Sequence, residues 1–117
     1  MAGALALVFA LLPGAGMSGT VAIHADRPFY VERPEPETRV TGWLRAGPVV
    51  TGPDTRDLPL QLETVEGALP VYALGVALEA LRPFIDEHVT LDGKRVDLRA
   101  EGGTVEFWPA RAQLAPP

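Results

Sequence analysis

Two short clusters of titratable side chains hold most of the chemistry this chain could perform. Asp86-Glu87-His88 is the denser one, and His24-Ala25-Asp26 sets an imidazole and a carboxylate two residues apart. Imidazole with carboxylate suits Zn(II), Cu(II) or Ni(II), and residues i and i+2 of a strand project from one face, so His24 and Asp26 would hold one divalent ion together. Spacing alone does not bring His24 near His88. The competing reading of the two clusters is a polar chain start and a solvated turn after a helix. Nucleophilic catalysis has less to work with. The sequence contains no cysteine, and Ser18 lies outside any Gly-x-Ser-x-Gly elbow, so neither a thiolate nor a Ser-His-Asp triad is expected. Asp92-Gly93-Lys94 sets a glycine before the chain's single lysine. A phosphate loop needs more glycines and a helix N-terminus behind them, so a hairpin turn accounts for these residues.

The aromatic residues are the other source of binding chemistry. Trp43, Tyr72, Phe107 and Trp108 are of the types that stack on bases or sugars. The charge argues against nucleic acid: fifteen acids against ten bases leave a net charge of -5 and a pI near 4.9, the wrong sign for neutralising phosphates. Arg95, Arg99 and Arg111 are interleaved with Asp92, Asp97, Glu101 and Glu106, so no basic strip forms. Core packing is the expected use of the aromatics. Phe107 and Trp108 are neighbours on a strand and must face opposite sides, so one of them lies outside the core and needs a cover. Phe29-Tyr30-Val31 is the natural cover, and a protein partner is the alternative. The candidate ligand or partner surface is therefore Phe29, Tyr30, Trp43, Tyr72 and Trp108.

A chain of 117 residues is one domain of ordinary size. Residues 1–25 contain no Asp, Glu, Lys or Arg, and Ala4 to Leu12 (ALALVFALL) is an apolar block closed by Pro13-Gly14. That block is too short for a membrane span, which needs roughly 20 apolar residues. Residues 1–22 read as a signal peptide, placing the chain outside the cell or in the periplasm and cell envelope. If Leu5–Leu12 is instead a buried helix of the domain, the protein is cytoplasmic.

Residues 23–38 read as an extended, proline- and acid-rich arm: Asp26 to Thr38 carries three prolines and four acids. Strand-like runs follow at Val40–Arg45 and at Leu58–Val65, where apolar and polar residues alternate. Glu66-Gly67-Ala68 turns the chain into Leu69–Leu74. Gly75–Phe84 repeats its apolar residues at helical spacing and ends at Pro83. Asp92-Gly93 predicts a hairpin within His88–Leu98, Glu101-Gly102-Gly103 the next turn, and Thr104–Trp108 the last strand before a frayed end from Gln113.

Val71-Tyr72-Ala73-Leu74, the helix Leu78 to Phe84, and the run Val89-Thr90-Leu91-Asp92-Gly93-Lys94-Arg95-Val96-Asp97-Leu98 follow one another as Tyr-x-Leu, short helix, Gly-Lys-x-Val. This succession resembles small OB-fold domains of bacterial exported proteins, over about residues 40–114. The resemblance implies a mainly β domain over residues 39–114: a five- to six-stranded barrel with one short helix after the third strand, then a tail at 115–117. A β-sandwich or an α+β sheet is the alternative architecture. The function expected is that of a small exported binding or structural module without catalytic activity or cofactor, working with a protein partner. The rivals are a metal-binding envelope protein using His24, Asp26, Asp86, Glu87 and His88, and a subunit of a larger protein assembly.

Overall fold

Period-two alternation of apolar residues dictates strands, and the chain closes them into a ring. In the computed structural model, residues 19–47 and 59–116 are described. Of the expected leader 1–22, residues 1–18 lie outside them, as does the turn-rich stretch 48–54, whereas its last residues Val21 and Ala22 are described. The elements in chain order are β1 (Val21–Ala22), a helical turn α1 (Pro28–Val31), β2 (Glu37–Ala46), β3 (Leu60–Thr64), β4 (Gly67–Val71), helix α2 (Val76–Leu81) running into a 3-10 turn (Arg82–Phe84), β5 (His88–Asp97) and β6 (Val105–Leu114).

β2 pairs antiparallel with β3 and with β5, β3 pairs with β4, and β5 pairs with β6. β4 and β6 run parallel and meet at Val71 and Phe107, which closes a five-stranded mixed barrel. The expected mainly β barrel is thus formed, with its helix after the third barrel strand. β1 is the additional strand, laid along β6 where β4 leaves off, Val21 opposite Ala112. The barrel interior is packed by Leu44, Leu62, Val71, Val89, Leu91 and Phe107, with Leu81 and Phe84 contributed by α2 and its 3-10 extension. Pro70 is tolerated within β4 because β6 is paired with β4 only one residue further on.

Three local expectations are corrected. The β3–β4 turn is the two-residue Val65-Glu66, with Thr64 opposite Gly67, and the Thr64 hydroxyl accepts from the Glu66 amide (3.0 Å) and donates to the Gly67 carbonyl (2.9 Å). The arm is not extended throughout: Pro28, with its φ preset for a first helical position, starts a helical turn, and β2 begins at Glu37 instead of Val40. Asp92-Gly93 is not a hairpin turn. β5 runs unbroken through both residues, and β6 continues through Pro109 to Leu114, so Gln113 and Leu114 are strand residues opposite Thr90 and Val89.

The physical reason for the last correction is a bulge. Asp92 lies opposite Arg111 and Gly93 opposite Pro109, so Ala110 is an extra residue on β6. That residue switches the facing of the strand, which lets Phe107 and Ala112, five positions apart, both pack in the barrel core. Gly93 is required by the close approach. A Cβ there would collide with the main-chain oxygen of Trp108 and the ring of Phe107.

On its other face the β5–β6 ribbon carries Val96, Trp108 and Ala110, which form a second apolar cluster with Leu98 and with Tyr30 of the arm. The arm covers it. Trp108 is 8% exposed, and Phe29 meets its ring edge-on at 5.9 Å. Lys94, also buried, donates from Nζ to the carbonyls of Tyr30 and Arg33, both at 2.8 Å, and lies 4.5 Å from the Tyr30 ring centroid. The Tyr30 carbonyl belongs to the end of α1, where a cation is favoured, and the Arg33 carbonyl to the chain just past it. Tyr30 donates its hydroxyl to Glu37 at 2.7 Å, and burial with this neighbouring carboxylate pushes the phenol well above its ordinary range.

Gly93→Ala should therefore lower stability by about 2–3 kcal/mol through overpacking against main chain. Gly19→Ala, with nothing within 4 Å of the added carbon, should stay within about 0.5 kcal/mol. Urea unfolding followed by tryptophan fluorescence measures both, and equal midpoints would contradict the bulge assignment.

Candidate functional site

The arm's second contribution is a groove beside the barrel wall. After β1 the chain does not continue as strand: the Arg27 amide bonds back to the His24 carbonyl at 3.0 Å, a tight turn that leads into α1. His24 is buried by this turn while Asp26 remains exposed, so the expected same-face pair of the two side chains does not form. The His24 amide and its Nδ1 both reach the carbonyl oxygen of Pro109, at 3.1 and 3.0 Å. A carbonyl can only accept, so Nδ1 carries the proton and Nε2 presents a lone pair. Burial lowers the imidazole's pKa from 6.5, and the nearby Arg27 cation adds to this against the opposing Pro109 hydrogen bond, keeping the ring neutral.

Around His24 the aromatic residues gather. Tyr72 stacks on its ring at 5.5 Å with 22° between planes, Phe29 meets it edge-on at 5.3 Å, and Trp108 lies 5.1 Å from Tyr72. The position of Tyr72 follows from β4: its amide bonds to the Phe107 carbonyl at 2.9 Å, extending the parallel contact by one step. Leu74 follows in the connection to α2, which presents Val76 outward and turns Ala77 inward. Between the arm and this connection lies a groove of about 190 Å³, walled by Phe29, Tyr72, Leu74 and Val76, with His24 on its floor and Arg27 at its rim. Phe29 (43% exposed), Leu74 (48%) and Val76 (75%) are three of the large apolar side chains left open to solvent, and all three meet here.

Of the five expected surface aromatics, the structure thus brings together Phe29, Tyr72 and Trp108. Tyr30 is interior, on the inward face of the arm. Trp43 stands apart on β2, with the His88 ring at 5.1 Å and the Arg45 guanidinium 5.3 Å from its centroid. Arg45 is itself held by Glu63 at 3.2 Å and by Asp86 at 3.1 Å. His88 Nδ1 meets the Pro116 carbonyl at 2.8 Å. His24 sits at the Pro109 level of the β5–β6 ribbon, opposite Gly93 in mid-β5, and His88 starts β5, a separation on the order of 17 Å along the strand. Glu87 lies exposed in the turn before β5. Among the described residues no three His, Asp or Glu side chains converge as a metal cluster.

A second hollow, lined by Glu37, Thr38, Arg39, Asp92 and Arg111, is filled with mutual ion pairs. Arg39 grips Asp92 at 2.7 and 3.2 Å and holds that carboxyl below the ordinary carboxylate range, while Arg111 bonds Glu37 at 2.7 Å. Sequence reading missed Leu74, Val76 and Arg27 as site residues. No local signal could have found them, since Leu74 and Val76 read as ordinary apolar residues of a strand end and a helix. Comparison of the chain with protein families, with curated proteins and with solved structures finds no match.

The His24 environment has a pH consequence. Its folded pKa is depressed below 6.5, so as pH falls through that value the unfolded chain takes up the proton first and the folded state loses stability towards its own lower pKa. Above 6.5 the contribution is fully present. His24→Phe should flatten this acid-side decline between about pH 7.5 and pH 5, because the variant removes the imidazole whose folded pKa is depressed. Urea midpoints of wild type and variant across the range test it, and parallel curves would assign the decline elsewhere.

Proposed function

We propose that the chain is a non-catalytic OB-type barrel that docks a partner protein through the groove between its arm and the β4–α2 connection. The observation that carries this is the convergence of Phe29, Leu74 and Val76, all open to solvent, on one concave site in an acid-rich protein. A soluble domain leaves such a patch uncovered where it binds something. The OB reading is supported by the ring order β2-β3-β4-β6-β5, its one parallel contact, and the helix between β4 and β5. The non-catalytic reading draws on both histidines engaging a main-chain carbonyl through Nδ1, not a carboxylate or a nucleophile. Export to the envelope or beyond is part of the proposal and rests on the uncharged 25-residue start with its short apolar block. Among the described residues no helix is long and apolar enough to cross a membrane.

Leu74→Asp and Val76→Asp place a charge on exposed positions, so each should change stability by no more than about 0.5 kcal/mol while weakening partner binding at least about tenfold. The check is co-purification of the tagged full chain from its own cells, quantified against wild type, with circular dichroism confirming the fold. The same partners at the same yield on both variants would refute the groove as the docking site.

A further inference from the structure

The groove is small and chemically asymmetric, and the asymmetry specifies what enters it. Its volume of about 190 Å³ is below the range of about 300–1,000 Å³ usual for a whole small-molecule ligand, so it accommodates one apolar residue. Its walls are apolar on one side, Phe29, Leu74 and Val76. At the rim stands Arg27. Among the described residues the other arginines, except Arg95, are each paired with a carboxylate: Arg33 with Glu35, Arg39 with Asp92, Arg45 with Glu63 and Asp86, Arg82 with Glu79, Arg99 with Asp97 and Arg111 with Glu37. Arg95 lies at a different hollow, beside Thr41 and Val65. In a chain with fifteen acids, an arginine left without a carboxylate at the edge of the apolar groove is charge complementarity for an external anion.

The third feature is the floor. His24 is buried, its Nδ1–H is committed to the Pro109 carbonyl, and its Nε2 has no partner among the described residues yet is not sealed from the groove. A neutral Nε2 accepts one hydrogen bond. A carboxylate, an N–H donor and an apolar side chain occur together, within the span of one residue, at the carboxy-terminal residue of a polypeptide.

We infer that the groove captures the free carboxy terminus of the partner protein, with the terminal carboxylate on Arg27, the last amide N–H on His24 Nε2, and an apolar last side chain between Phe29, Leu74 and Val76. This inference rests on the docking reading above and names the part of the partner that is recognised. A free N-acylated apolar amino acid shares the same chemistry; the polypeptide end is favoured because a groove this shallow leaves the remainder of the occupant outside it.

The test uses the full chain and three probes: a short acetylated peptide ending in leucine with a free carboxylate, the same peptide as its carboxamide, and N-acetyl-leucine. Calorimetry or amide chemical-shift mapping reads the affinities. The acid peptide should bind and shift His24, Phe29 and Val76, and the carboxamide should bind at least about tenfold more weakly. Arg27→Gln should abolish the difference between acid and carboxamide while keeping the fold. Leu74→Asp should weaken both. Equal binding of acid and carboxamide, or no binding of either, would overturn the inference. N-acetyl-leucine binding as tightly as the peptide would transfer the site to a free small molecule and overturn it too. Should the peptides fail while Leu74→Asp still loses the partner, the docking reading stands and only the terminus assignment falls; should Leu74→Asp keep the partner, both fall.

Discussion

Strand β6 is buried on both faces, and the rest of the molecule is organised around covering the second one. Glu106 to Ala110 are all withdrawn from solvent, Phe107 into the barrel and Trp108 against the arm. A barrel wall covers only its inner side. Leaving an indole and its apolar neighbours Val96 and Leu98 in water would forfeit several kcal/mol of burial at about 25 cal/mol per Å². The arm is therefore part of the fold, since it also supplies the core residue Ile23 directly after β1.

Holding the arm in place takes buried polar chemistry. Lys94 is withdrawn from water, which is costly for an ammonium unless its protons are matched, and the Tyr30 and Arg33 carbonyls with the Tyr30 ring supply that match. Glu106 is buried beside it on β6 and accepts from the Trp108 indole at 2.8 Å, so the ring that most needs covering is also oriented. Arg33 adds a guanidinium 5.2 Å from the Trp108 centroid, itself fixed by Glu35. The groove at His24 is a by-product of the same docking: once the arm turns back at Arg27 to place Phe29 on Trp108, a furrow remains between it and the β4–α2 connection.

Much of this was legible in the order of residues. Alternation marked β3 and the ends of β5, helical spacing marked α2, and Gly102 stood where the chain adopts a left-handed turn at φ 89°. Adjacent Phe107 and Trp108 required two covered faces, and Phe29-Tyr30-Val31 was a fitting cover because it is the only apolar patch in an otherwise polar arm. The candidate site was legible as residue types and not as a place. Phe29, Tyr72 and Trp108 were visible as aromatics, but only the parallel β4–β6 contact puts Tyr72 next to Trp108. Leu74 and Val76 look like ordinary apolar residues of a strand end and a helix, and nothing local announces that they face water.

By itself the sequence determined the mainly β character, the short helix after the third barrel strand, the net negative charge and the need for an outer cover, because these depend on side-chain periodicity and charge, which are local. Tertiary structure alone decided the meaning of Asp92-Gly93, since a glycine beside a turn-forming residue serves a hairpin or a bulge equally well until a second strand approaches it. It decided the role of Lys94 in the same way: a lone lysine is a surface cation unless two carbonyls from a distant segment meet it. His24 and His88 were separated for that reason too, because the distance between them is set by where β1 and β5 join β6, and strand register is a property of pairs of segments that neither segment carries alone.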